Sequence, residues 1–139
     1  MWDNRCRRSD KPRTGKGDDG DTLLLISDLG RGVYDEAPIR LKGVFAPETG
    51  QPGGKESAKM LALILGEVEE RVAAHRHRWP FVVVTEPNTN PEPDEIRSFV
   101  RYIGTLYAAD TGECVNDQMA AFLAQHPEWS GGIGSGDEG

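Results

Sequence analysis

The sequence predicts a small antiparallel β-barrel that carries helices. Apolar runs typical of strands and helices follow one another in the order strands, helix, strands, helix. These runs lack the strand–helix–strand alternation that a doubly wound parallel sheet requires. The chain has 139 residues, a length that fits one domain with its own hydrophobic core.

The first half of the chain begins with a polar segment. Residues 1–17 contain six of the 16 basic residues and no apolar period, so we expect a flexible basic arm. The first strand is expected in TLLLIS, between Gly20 and the turn DLGRG. The second is expected in APIRLKGVFAPE, where Ile39 and Leu41 alternate with polar residues and Pro47 ends the run.

A helix is expected next. Apolar residues recur at helical spacing from Lys55 to about Leu65. Gly66 leaves open whether EVEERVAAHRHRW extends this helix or forms a second one. Two further strands are expected in PFVVVTE and RSFVRYIGTLYA, on either side of the proline-rich loop PNTNPEPDE.

The last expected element is the amphipathic helix ECVNDQMAAFLAQH, which Pro127 stops. The segment after it is rich in glycine and has low complexity, which is typical of disorder. We therefore expect a domain over residues 18–128 and a disordered tail over residues 129–139.

Composition restricts the class of protein. The net charge of −7 is mildly unfavourable for bulk binding to nucleic acid, which usually needs a basic surface. The N-terminus lacks the apolar region of a signal peptide, and no stretch approaches the length of a membrane span. Two cysteines, Cys6 and Cys114, leave a disulfide open but fit a reducing compartment better. We expect a cytoplasmic protein without membrane contact, monomeric by default.

A cluster of carboxylates precedes the first expected strand. Asp18, Asp19 and Asp21 surround Gly20. Taken alone, such a cluster is most often an acidic turn. It can instead hold a divalent cation, because hard cations such as Ca²⁺ prefer carboxylate oxygens. These residues by themselves leave both interpretations open.

Three segments, taken in order, resemble the thermonuclease (staphylococcal-nuclease-like) family: DGDTLLL, IRLKGVFAPE and RYIGTLYAADTGECVNDQM. The segment SDLGRGVY is similar to the D-L-G-x-G connection of bacterial and phage members. The resemblance covers roughly residues 19–125. It implies an α+β or mainly β fold, an OB-type five-stranded antiparallel barrel with two or three helices. It also implies hydrolysis of DNA and RNA phosphodiesters with Ca²⁺ or another divalent cation.

The resemblance also implies roles for individual residues. Asp21 corresponds to the family's first metal carboxylate, and Glu48 corresponds to its catalytic glutamate. Arg40 and Arg101 correspond to the two arginines that bind the scissile phosphate. This set fits the chemistry, because phosphodiester hydrolysis needs an activated water and positive charge on the pentacoordinate phosphorus.

The chain departs from the family at several positions. Phe45 stands where the family has its second metal carboxylate, and an aromatic ring cannot ligate a cation. Asp19 or Asp18 is the available substitute ligand. Phe99 takes the place of a tyrosine that lies beside the nucleotide. Arg97 is an alternative to the second phosphate-binding arginine, because the usual sequence around that arginine is SFVR here.

Two functions follow as hypotheses. The first is a metal-dependent nuclease of DNA, RNA or both, with a metal site weakened by Phe45. The second is a catalytically silent OB-type module that keeps the groove for nucleic acid or a protein partner. The retained Asp21, Arg40, Glu48 and Arg101 favour the first hypothesis, and the lost carboxylate favours the second.

Overall fold

Five strands close into a barrel in a computed structural model that describes residues 2–9, 20–48, 50–74, 79–87 and 102–132. The strands are β1 (Trp2–Arg8), β2 (Thr22–Gly30), β3 (Val33–Leu41), β4 (Phe81–Pro87) and β5 (Tyr102–Ala108). The helices are α1 (Gly54–Ala74), α2 (Val115–Ala124) and a 3₁₀ helix (Pro127–Gly132). Around the barrel the strand order is β1-β2-β3-β5-β4. The predicted OB-type fold class is confirmed.

One strand pair differs from the expected antiparallel arrangement. β3 and β5 run parallel, with Ile39 opposite Tyr102, whereas the neighbouring pairs are antiparallel. The reason is geometric. In a closed ring of five strands, the strand direction cannot reverse between every pair of neighbours, because five is an odd number. At least one parallel pair is therefore required in any closed five-stranded barrel.

The expectation of a flexible basic arm is wrong for residues 2–8, which form β1. This strand pairs antiparallel with both β2 and β4. Cys6 is fully buried, while the side chain of Arg5 is 63% exposed. β1 thus contributes a small apolar side chain to the core and carries charge outside, a pattern too sparse in apolar residues to mark a strand. The domain begins before residue 18.

Buried apolar side chains of the strands and helices form one core. The sequence left open whether one helix or two follow Lys55. The structure has one, because α1 continues through Gly66. A bidentate ion pair between Arg8 and Glu69 attaches α1 to β1. The core includes Leu23, Leu25, Ile39, Leu41, Leu61, Leu65, Phe81, Val83, Leu106 and Met119.

The C-terminal segment packs through Trp129. This indole stacks on His126, with ring centroids 4.0 Å apart, and lies close to Phe122. It also covers Gly53, where a Cβ would overlap the indole and the φ of +85° favours glycine. The expected disordered tail is therefore wrong for residues 129–132, which belong to the 3₁₀ helix. Residues 133–139 lie outside the described residues.

The cysteines are free thiols. Burial raises the pKa of the Cys6 thiol to about 12, so this group stays protonated in the folded protein. Neither of the two α-helices in the described ranges is long and apolar enough to cross a membrane.

Candidate functional site

Asp21 lies immediately before β2, at the end of the barrel where β3 finishes. Its main-chain carbonyl accepts a hydrogen bond from the Leu41 N–H at 2.7 Å. The preceding Gly20 is buried. A Cβ at this position would lie 2.7 Å from the Cβ of Ser57 in α1 and 2.9 Å from the Cβ of Ala46. Close packing therefore requires the glycine of the D-G-D-T segment.

The carboxylate of Asp21 joins β2 to the loop that follows β3. Its Oδ1 accepts a hydrogen bond from the Thr22 hydroxyl at 3.1 Å. Its Oδ2 accepts one from the Ala46 N–H at 3.3 Å. The side chain that the resemblance assigns to a metal thus also positions residues 42–48, which we call the 42–48 loop.

The 42–48 loop is fixed at several points. The Lys42 N–H donates to the Gly104 carbonyl at 2.8 Å. Val44 and Pro47 are fully buried and anchor the loop in the core. The Lys42 ammonium forms an ion pair with Glu86 at 3.0 Å. The main chain of the loop is therefore anchored, and it carries the exposed side chains at defined positions.

Arg40 lies in the barrel wall beside this loop. In the sheet it pairs with Thr22 on one side and with Ile103 on the other, which places it next to Asp21. The guanidinium carbon lies 4.9 Å from the centroid of the Phe45 ring, a cation–π contact. Phe45 itself is 58% exposed. Phe45, at the position where the resemblance implies a metal carboxylate, therefore contacts the arginine to which the resemblance assigns phosphate binding.

Glu48 is exposed at the end of the 42–48 loop, just ahead of α1. Its main-chain carbonyl accepts a hydrogen bond from the Gln51 N–H at 2.9 Å, which starts the turn into the helix. Among the described residues its carboxylate forms no hydrogen bond or ion pair. The structure thus brings Asp21 and Arg40 to the loop that carries Glu48.

Three predicted site residues fall outside the described residues. They are Asp19, Phe99 and Arg101, and the alternatives Asp18 and Arg97 lie there as well. Their roles in metal, substrate and phosphate binding stay predictions.

Comparisons of this chain with family models, curated proteins and solved structures find no match. The resemblance to thermonucleases therefore rests on the sequence motifs.

The described part of the site does not fit Ca²⁺. Within the described ranges, no three side chains from His, Cys, Asp and Glu cluster in a way that could hold a metal. Ca²⁺ takes about six to eight oxygen ligands. Asp21 supplies one carboxylate and Phe45 supplies none, so the described side chains fall short of this number.

Asn116 holds the site together through hydrogen bonds, although the sequence analysis assigned no role to this residue. It is 5% exposed at the start of α2. Its Oδ1 accepts from the Leu106 N–H at 2.9 Å, and its Nδ2 donates to the carbonyls of Lys42 at 2.9 Å and Gly104 at 3.0 Å. Asn116 thus ties α2 and β5 to the start of the 42–48 loop. The sequence signal that could have indicated this role is a polar residue between the apolar positions Val115 and Met119 of the predicted helix.

Proposed function

We propose that the end of the barrel formed by Asp21, Arg40 and the 42–48 loop binds the phosphodiester backbone of nucleic acid. The observation that carries the proposal is the position of Arg40 against a loop fixed by buried anchors. A guanidinium keeps its charge at all physiological pH values and presents N–H donors in a planar fork that matches phosphate. Stacking on Phe45 engages the face of this group, while forked hydrogen bonds are made in its plane.

The fold and charge are consistent with a local site of this kind. OB-type barrels use their strands and loops to bind oligonucleotides. Because the net charge is −7, attraction over the whole surface cannot supply the affinity. A fixed loop reduces the ordering cost of binding, which favours a small preorganised site.

Replacing Arg40 by alanine should weaken binding of a labelled oligonucleotide about tenfold at low salt. A charge-assisted hydrogen bond contributes about 1.5–3 kcal/mol, and about 1.4 kcal/mol corresponds to a factor of ten. Lys42→Ala is the control, because that ammonium is paired with Glu86 and 54% exposed. We expect less than about a twofold change from it. Fluorescence anisotropy measures both affinities, and thermal melts check that both variants are folded.

Equal losses in the two variants would indicate a diffuse basic surface and contradict a site at Arg40. An Arg40→Ala variant that binds like the wild type would contradict the proposal outright. Arg40→Lys separates charge from geometry, since lysine keeps the charge without the fork.

Hydrolysis of the bound phosphodiester is a second candidate function. It is favoured by the position of Glu48 on the loop that Asp21 and Arg40 contact. The exposed Glu48 carboxylate would act as a general base toward water, and Arg40 would stabilise charge on the phosphate oxygens. Since the described donor set does not fit Ca²⁺, this candidate needs its metal dependence tested directly.

Phe45→Asp should tighten Ca²⁺ binding and raise cleavage if the hydrolytic candidate is correct. The change adds a second carboxylate near Asp21, and ligand charge is a main determinant of Ca²⁺ affinity. Because Phe45 is 58% exposed, its loss should cost little stability. Bound Ca²⁺ should then raise the melting temperature, since it binds only the folded state. Calorimetric titration, melts with and without Ca²⁺, and plasmid nicking with Ca²⁺, Mg²⁺, Mn²⁺ or chelator measure these effects.

Phe45→Asn is the control, because asparagine has the same size without the charge. If Phe45→Asp neither binds Ca²⁺ more tightly than Phe45→Asn nor cleaves faster, the metal site built on Asp21 is wrong. Binding of the backbone by Arg40 would then stand without hydrolysis.

A further inference from the structure

We propose that Phe45 is a stacking platform for an unpaired nucleobase, so that the site prefers single-stranded over double-stranded nucleic acid. The inference rests on the proposed function, because it adds a base contact to the phosphate contact of Arg40. It also assigns a new role to the position where the resemblance implies a metal ligand.

Phe45 is exposed on a loop that is anchored on both sides of it. The side chain is 58% exposed, although large apolar residues are usually buried. The residue before it, Val44, is fully buried, and the N–H of the residue after it, Ala46, is bonded to Asp21. A ring held on such a loop loses little conformational freedom when a ligand stacks on it.

The Phe45 ring is also paired with a cation. Several large apolar side chains are exposed elsewhere in the described residues, but Phe45 is the one whose ring contacts Arg40. Proteins that bind single strands combine basic groups along the backbone with aromatic side chains under the bases. Arg40 and Phe45 provide one of each, 4.9 Å apart. One nucleotide could therefore place its phosphate on Arg40 and its base on Phe45.

A base can stack on Phe45 only if one of its faces is free. In a duplex, both faces of a base are covered by its neighbours in the stack, so a protruding ring gains no contact without opening the helix. An unpaired base has a free face and can stack on Phe45 without this cost. The contact therefore adds to the affinity for single strands and leaves the affinity for duplexes to phosphate contacts.

The test measures binding of the whole chain to three labelled probes of equal length. They are a single-stranded oligonucleotide, the corresponding abasic strand with backbone alone, and a blunt duplex. We expect the wild type to bind the single strand about tenfold more tightly than the abasic strand, within the range of stacking on one aromatic side chain. Phe45→Leu should reduce single-strand binding to the abasic level and leave abasic binding unchanged. Phe45→Trp should retain the preference.

Tyr34→Leu is the matched control. Tyr34 is also an aromatic residue of similar exposure, 55%, but it lies at the other end of β3 and stacks on Trp79. Its replacement should leave the ratio between the single strand and the abasic strand unchanged. An equal effect of Tyr34→Leu would contradict the assignment to Phe45.

The other possible results distinguish failure of the stacking platform from failure of the proposed function. If Phe45→Leu binds the single strand as tightly as the wild type, the platform is wrong, while Arg40-dependent binding of the abasic strand would still support the proposed function. If the wild type binds duplex and single strand equally, the preference is wrong. If the wild type binds none of the three probes, the proposed function and this inference are both overturned.

Discussion

A chain that lacks residues 2–8 should lose its cooperative thermal unfolding transition. These residues form β1, which pairs with β2 on one side and β4 on the other. Removing the strand opens the barrel and leaves two unpaired strand edges. It also removes the buried Cys6 from the core and the ion pair between Arg8 and Glu69 that attaches α1. The sequence alone predicted a flexible arm, and the loss of such an arm would leave the unfolding transition unchanged.

Circular dichroism melts of the truncated and full chains measure this effect. The control is truncation after Gly132, which leaves every described strand and helix in place, so the melting temperature should be nearly unchanged. If the chain without residues 2–8 melts cooperatively near the temperature of the full chain, β1 does not contribute to the barrel as described.

Asn116→Leu should lower the free energy of unfolding by about 3 kcal/mol. The substitution keeps a side chain of similar size but removes the three hydrogen bonds of the amide. The Leu106 N–H and the Lys42 carbonyl lose this partner, and each buried polar group left unsatisfied costs about 1–3 kcal/mol. The Gly104 carbonyl still accepts from the Lys42 N–H, so it adds less to the loss.

Urea unfolding of Asn116→Leu against the wild type measures the loss. Gln118→Ala is the control, because this side chain is exposed on the same helix and its replacement should change stability by less than about 0.5 kcal/mol. A loss below about 1 kcal/mol in Asn116→Leu would show that the amide does not hold α2 to the 42–48 loop.

The sequence predicts most of the barrel because most strands carry their own local signal. PFVVVTE begins one residue before β4, and TLLLIS begins at the first residue of β2. β1 has no such signal, since its stability comes from partners distant in the chain rather than from its own side chains. The packing of Trp129 is not predicted for a similar reason, because its partner Gly53 lies far away in sequence.

The candidate site is predicted in part. The motifs place Asp21 just before one strand and Arg40 within the next, and pairing of Thr22 with Arg40 brings them to one end of the barrel. The contact between Arg40 and Phe45 depends on how the 42–48 loop folds back, which no local pattern encodes. The positions of Asp19, Phe99 and Arg101 relative to these residues stay predictions.

The pairing of β1 with β4 also has a consequence for how the protein folds. Cys6 pairs with Phe81, more than seventy residues further along the chain, whereas β2 and β3 are joined by a tight turn at Gly30–Gly32. Joining distant segments costs loop entropy before their contacts form, so a high contact order slows folding. We therefore expect the hairpin of β2 and β3 to form early and barrel closure to be the late step. During synthesis β1 leaves the ribosome long before β4 exists, and until then its pairing edge is open to other chains.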